Sequence, residues 1–270
     1  MRTVDFGTTG LRVPAVGMGT WRTFDVRGAA EEARCRAIVD VAPDRGARLF
    51  DSSPMYGAAE RVLARALDGR RDDALVATKV WTPDEREGRA QVERAVAWYG
   101  GRVDVYQIHN LVAWRRHLPL LEDLRAAGRV GLVGATHYQH SAFPELLRVM
   151  ETGRVQQIQI PYNARDHAAA RDLLPLAESL GIGVLVMRPF GEGTLVRRAP
   201  PAAALAPLRP LGITTWPQAL LAWILSDPRA HCAIPATSRP ERMAENAAAG
   251  DVAPLDADQR AYVARLAAEL

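Results

Sequence analysis

Residues 48–57 run Arg-Leu-Phe-Asp-Ser-Ser-Pro-Met-Tyr-Gly and residues 58–80 continue as AAERVLARALDGRRDDALVATKV; together they hold one complete strand–helix–strand unit. The apolar run 48–52 predicts a short strand that ends in a polar turn over residues 51–57. Over residues 59–67, Val62, Leu63, Ala66 and Leu67 recur at i, i+1, i+4 and i+5, the stripe of a helix lying on a sheet. Residues 74–80, rich in alanine and valine, then supply a second strand. A crossover helix between two strands sets them parallel, and a parallel sheet needs helices on its face to bury it.

The same alternation continues in both directions. Strands are predicted over residues 15–20, 48–52, 74–80, 103–109, 130–136, 155–162, 183–188 and 232–237, all short and bounded by glycine, proline or polar residues. Helical patterns cover 118–127, stopping at Gly128, and 173–180, stopping at Gly181, because glycine ends a helix readily. Another runs over 216–226, with Pro217 in its first turn and Asp227-Pro228 after it, and the last spans 256–269. Eight strands with helices between them predict an α/β fold, a (β/α)8 TIM barrel, in one domain over residues 1–270. An open doubly wound sheet is the alternative, and it would carry a dinucleotide fingerprint. Gly17-Met18-Gly19 and Gly191-Glu192-Gly193 each begin one and lack the third glycine, which favours the barrel. Residues 4–13 read as an N-terminal β-hairpin turning at Gly7-Thr8-Thr9-Gly10, placed to cover the barrel's bottom. The alanine- and proline-rich residues 199–210 read as a loop.

Composition excludes several classes. With 48% hydrophobic and 24% charged residues, the chain has the makeup of a globular protein rather than a disordered one. A net charge of +3, with no basic run longer than pairs such as Arg70-Arg71, argues against nucleic acid as a partner. Cys35 and Cys232 make no disulfide framework, and neither an apolar signal core nor a membrane-length apolar run is present. A cytoplasmic protein without membrane contact is expected, and a monomer, since no extra arm or heptad repeat appears. Of the 34 basic residues, only Lys79 is a lysine. An arginine-rich composition explains most of that imbalance, yet it raises the question of what arginine could not do at position 79. Lysine is a compact ammonium whose pKa moves on burial, and it can act as a nucleophile.

In a barrel of this kind chemistry gathers where strands end at the C-terminal face. The second predicted strand ends at Asp51, with Tyr56 five residues on; the third ends near Lys79 and the fourth at His109. Alone, each has a plain structural use: an acid caps a turn, a histidine satisfies a carbonyl, a tyrosine packs. Together on adjacent strands they suit proton donation to a carbonyl. A free phenol holds its proton to about pH 10, and an adjacent ammonium would lower that. Asp51 would keep a buried Lys79 charged, and His109 would orient the substrate oxygen.

With these residues in place, the chain resembles the aldo-keto reductase superfamily over essentially its full length. The matching segments are Phe50-Asp51-Ser52-Ser53-Pro54-Met55-Tyr56-Gly57, then residues 77–79 (ATK), 104–110 (DVYQIHN), 133–136 (VGAT) and 234–242 (IPATSRPER). The resemblance implies a (β/α)8 barrel that binds NADP(H) across its rim and reduces aldehydes or ketones by hydride transfer. It implies Tyr56 as general acid, with Asp51 and Lys79 tuning it and His109 holding the substrate. For the cofactor it implies contacts from Gly19, Thr20 and Asp51, from Thr136 and His137 where the family has Ser-Asn, and from Gln159 at the carboxamide. Met187, Arg188, Pro189, Phe190, Gly191 and Gly193 would wrap the diphosphate. Thr237, Ser238, Arg239 and Arg242 would meet the 2′-phosphate, and Glu245 and Asn246 the adenine. Arg242, Glu245 and Asn246 fall at i, i+3 and i+4 on one helix face, and arginine's fork suits a phosphate, so NADPH is expected over NADH. The chain departs from the family's pattern at three positions. Met187 stands where many relatives have a stacking tyrosine, His137 replaces an asparagine, and Ala236 sits where some have a lysine.

Trp21, Trp81 and Trp114, just past the first, third and fourth strands, are candidates to wall a substrate pocket with Tyr56 and His109. The loop at 110–117 is short, which implies an open mouth and broad selection of carbonyl substrates. Two other readings compete. Lys79 could form a Schiff base in an aldolase or lyase, although Asp51 would hold its ammonium charged. A non-catalytic barrel that binds NADP(H) and senses redox state is the other. The six histidines include no HxxxH pair and no His/Cys cluster, so no metal is expected.

Overall fold

The structure, a computed structural model, describes residues 1–270. An antiparallel hairpin of β1 (Thr3–Asp5) and β2 (Arg12–Pro14) comes first. Eight parallel strands follow in chain order: β3 (Met18–Gly19), β4 (Leu49–Asp51), β5 (Leu75–Val80), β6 (Val103–His109), β7 (Val130–Thr136), β8 (Gln157–Pro161), β9 (Gly183–Met187) and β10 (Cys232–Ala233). Isolated bridges Val16–Ala233 and Gly19–Ala236 join the first of these to the last, so the sheet closes. A helix follows each strand: α1 (Ala29–Asp44), α2 (Ala59–Ala66), α3 (Glu85–Trp98), α4 (Trp114–Ala126), α5 (Phe143–Glu151), α6 (Leu173–Ser179), α7 (Trp216–Leu225) and α8 (Pro240–Ala248). A further helix, α9 (Ala257–Glu269), closes the chain. This is the expected (β/α)8 barrel with its N-terminal hairpin.

Strand periodicity divides the core in two. Side chains such as Leu49, Ala77, Val105, Leu132 and Leu185 fill the barrel's interior, while Phe50, Val76, Tyr106, Val133 and Val184 pack outward against the helices. The hairpin seals the bottom: Phe6, fully buried, joins the interior group, and the Thr8 amide donates to Gly181 O at 2.8 Å. Gly183 makes room for this plug, since a Cβ there would meet the Phe6 ring at 2.6 Å. Helices begin where their caps allow. Thr215 and Gln218 form a reciprocal capping box on α7, and Asp256 and Gln259 form another on α9.

Several boundaries differ from expectation. The first and last barrel strands shrink to two residues each, because the seam between them runs through Gly17, Gly19 and Pro235. Proline offers no ladder donor, and glycine packs nothing. Helix α4 starts at Trp114 rather than 118, because Trp114, Leu118 and Leu121 form one buried stripe that outweighs the backbone hydrogen bond Pro119 gives up inside the helix. The stretch read as a loop at 199–210 contains 3₁₀ turns over Ala202–Leu211, anchored by buried Leu205 and Leu208.

Candidate active site

Inward-facing residues at the ends of successive strands converge on the barrel's mouth. On β5, Ala77 and Lys79 point inward, while Thr78 points out to the Glu60 carboxyl of α2. Lys79, with no exposed surface, gives all three ammonium hydrogens to neighbours: Asp51 Oδ1 at 2.7 Å, Asp51 Oδ2 at 2.6 Å and Ser52 O at 2.8 Å. Asp51 Oδ1 also accepts from Gln159 Nε2 at 2.8 Å and Gln107 Nε2 at 3.1 Å. Sequence reasoning missed Gln107, on β6; its period-two spacing from His109 was the available signal.

Tyr56 closes the one-turn 3₁₀ segment Pro54–Tyr56, which the Ser53 side chain caps by accepting the Met55 amide at 3.2 Å. Gly57 follows at φ 63°, ψ −121°, a conformation glycine adopts freely, and the Asp25 carboxylate occupies the space a Cβ would take. Asp25 also accepts the Ala58 amide at 2.9 Å, which ties the loop after β3 to the turn that carries Tyr56. The Tyr56 and His109 rings meet edge to face, centroids 5.7 Å apart at 89°. His109, buried, has Nδ1 2.7 Å from Ser53 Oγ. Burial first, then the Lys79 charge, push the imidazole pKa down to about 2, so the ring is neutral.

The expected acidification of Tyr56 by Lys79 is not what the structure shows. The Lys79 nitrogen lies over the Tyr56 ring, 5.3 Å from its centre, and every one of its hydrogens is directed elsewhere. Burial and the Asp51 carboxylate raise the phenol's pKa well above 10, and the opposing charge is Arg188, not Lys79. An ammonium bonded to a carboxylate presents little net charge to a third group, so desolvation wins. Burial also lowers the pKa of Lys79, with Asp51 resisting it.

A cavity of about 460 Å³ opens above this group. Asp51, Tyr56 and His109 line it, as do Gly19, Thr20, Trp21, Gln159, Met187, Arg188, Pro189, Phe190 and Gly193. Lys79 is fully buried and outside the lining, and its hydrogens are all engaged, which counts against the Schiff-base reading. Two of the tryptophans expected in the cavity wall are elsewhere. Trp81 is 40% exposed outside the lining, and Trp114 is buried, its indole donating to Glu145 of α5 at 2.8 Å. The early start of α4 is what turns Trp114 into a packing residue, while the Trp81 amide is held by Gln91 of α3, on the helical side of the rim. Sequence reasoning also missed Arg22, Met55, Asn110, Tyr138 and Glu192 in the lining. Tyr138 adjoins the expected Thr136-His137 pair, and Glu192 lies between Gly191 and Gly193; position alone could have found them.

The residues assigned to a nicotinamide cofactor fit one. The Thr136 hydroxyl is buried with no partner, and Thr136 pairs in register with Gln159, whose amide nitrogen is already committed to Asp51. A carboxamide offers the donor and acceptor those groups lack. Beyond Met187 the chain turns through positive φ at Arg188, Gly191, Glu192 and Gly193, and the Arg188–Glu192 ion pair spans the turn at 2.7 Å. His137 stacks on Tyr138, and Tyr138 carries the Arg188 guanidinium at 4.4 Å, so one of the three departures from the family pattern, His137, ends a layered stack, while Met187 and Ala236 line the cavity itself. Thr136, His137, Gly191 and residues 237–246 lie outside the cavity lining. There, Ser238, Arg239 and Arg242 are exposed at the start of α8, with Arg239 3.7 Å from Glu241 and Arg242 bonded to Glu245; Thr237 and Asn246 are buried. No helix is long and apolar enough to cross a membrane.

The eight-stranded barrel gathers an acid, an amine, an imidazole and a phenol at the ends of neighbouring strands. The sequence profile of the Aldo/keto reductase family matches residues 15–268, and the chain belongs to that family. Among characterised relatives, it is 29% identical over 217 residues to the L-galactose dehydrogenase of Arabidopsis thaliana, covering 72% of this chain and 67% of that one. It is 25% identical over 320 residues to the NADH-specific methylglyoxal reductase of Escherichia coli K12, covering 96% of each. A solved aldo/keto reductase from Klebsiella pneumoniae, in complex with NADP and acetate, superposes with a TM-score of 0.82 at 25% identity, covering 98% of this chain and 94% of that one.

Proposed function

We propose that this protein is an NADPH-dependent reductase of small aldehydes or ketones, with Tyr56 as proton donor. The observation that carries the reading is the convergence of Asp51, Tyr56 and His109 on one cavity, with Lys79 buried behind Asp51. A reduced nicotinamide, when bound against Thr136, Gln159 and Met187, supplies the hydride. The chain's own residues do the rest. Neutral His109 lines the cavity and can hold a carbonyl oxygen there without adding charge. Tyr56, kept protonated by burial, surrenders its proton only to a strong base, and the oxygen of a carbonyl being reduced becomes one. Arg188, in the cavity lining, favours the phenolate left behind. Asp51 fixes Lys79 and aligns Gln159 and Gln107.

Further along, Gly19, Thr20 and the turn from Arg188 to Gly193 would hold the ribose and diphosphate, backbone amides and the Arg188 charge meeting the phosphates. Thr237, Ser238, Arg239 and Arg242 would take the 2′-phosphate, with Glu245 and Asn246 at the adenine; two arginines at a helix start suit that group. Trp21 is the one of the three tryptophans left to wall the substrate side.

Fluorescence titration should give a lower Kd for NADPH than for NADH, and Arg239→Ala or Arg242→Ala should narrow the difference. NADPH absorbance should then fall on adding methylglyoxal or a simple aldehyde. Tight binding with no consumption across a panel of carbonyls would favour the redox-sensing alternative, and equal affinity for both cofactors would remove the role given to the arginines.

A further inference from the structure

We propose that Ser53 is a positioning residue that sets which nitrogen of His109 carries the proton, donating its hydroxyl to Nδ1 and so leaving Nε2–H to face the cavity. The proposal rests on the reading of that cavity as a carbonyl-reducing site.

Ser53 is fully buried, and its oxygen lies 2.7 Å from His109 Nδ1. The same oxygen accepts the Met55 amide at 3.2 Å, a contact that belongs to the 3₁₀ turn and holds the hydroxyl in place. Its proton is then directed at the one remaining neighbour, the imidazole. A neutral imidazole has one donor and one acceptor, so accepting at Nδ1 places the hydrogen on Nε2. That difference decides the chemistry. A carbonyl oxygen needs a donor; the other tautomer would turn a lone pair toward the oxygen's own lone pairs and repel it. The adjacent serine does separate work, since Ser52 Oγ lies 2.9 Å from the Thr20 hydroxyl. Tandem serines thus serve two strands, Ser52 toward β3 and Ser53 toward β6.

The test uses the full-length protein labelled with ¹⁵N-histidine, with the His109 signals identified by their loss in His109→Asn. Long-range ¹⁵N–¹H correlation should show His109 of the wild type protonated at Nε2. In Ser53→Ala the two tautomers should mix and kcat should fall about twofold, in proportion to the share of rings that lose the Nε2 proton. NADPH affinity, read by fluorescence, should be unchanged, and Ser53→Thr, which keeps the hydroxyl, should restore both tautomer and rate. A wild-type ring protonated at Nδ1 would overturn the proposal, as would a Ser53→Ala ring that stays protonated at Nε2. If the ring behaves as expected and the wild type reduces no carbonyl, Ser53 keeps its hold on His109 and the functional reading fails instead.

Discussion

Asp51 and Lys79 hold one another inside the barrel with 3% and no side-chain exposure. Removing one leaves the other as a buried, unpaired charge, so Lys79→Met should destabilise the fold by about 3–5 kcal/mol, read from urea unfolding midpoints. The same pair marks the limit of what the sequence told. A solitary lysine at a strand end, with an acid on the neighbouring strand, was enough to place both at the mouth. Where the ammonium points was not legible, because strand alternation says which face a side chain takes and nothing about which acceptors its hydrogens find. Three nearby oxygens took them, and Tyr56 stayed a weak acid shielded from water.

At the scale of elements, helix α2 carries Glu60 inward against β5, where Thr78 bonds its carboxyl. Burial raises this acid from 4.5 to about 7. Its unfolded form ionises near the lower value, so the folded state is favoured below about pH 4.5 and loses that advantage as pH rises through 7. Wild-type stability should therefore fall between those pH values relative to Glu60→Gln, by on the order of 3 kcal/mol, in urea unfolding at pH 5 and pH 8. Helix α7 offers a cleaner test of local chemistry. Thr215→Ala removes half of its capping box and should cost about 1 kcal/mol by the same measurement. Helix α2 was readable because its apolar stripe is unbroken. The start of α4 was not, because a proline inside the helix imitates a beginning, and only the buried contact of Trp114 extends it backward.

For the whole molecule, closure of the barrel puts residues from successive strands around one cavity, and the hairpin seals the opposite end. Phe6 fills that end, so Phe6→Ala should lose about 3–5 kcal/mol of stability while NADPH affinity, measured on the folded protein, stays as in wild type. The count and order of barrel strands were legible because each is a short apolar run between turn residues. The seam was not: two-residue strands beside glycine and proline leave almost no pattern. Family resemblance located the rim residues that composition could not, and the two misplaced tryptophans show where proximity in sequence to a strand end stops implying access to the mouth. The most direct measurement of the central claim compares wild type and Tyr56→Phe in a single turnover, with NADPH prebound and a small aldehyde added. The account predicts equal NADPH affinity and a rate of cofactor oxidation at least about 10²-fold slower in the variant. A Tyr56→Phe protein that oxidises NADPH as fast as wild type would contradict it.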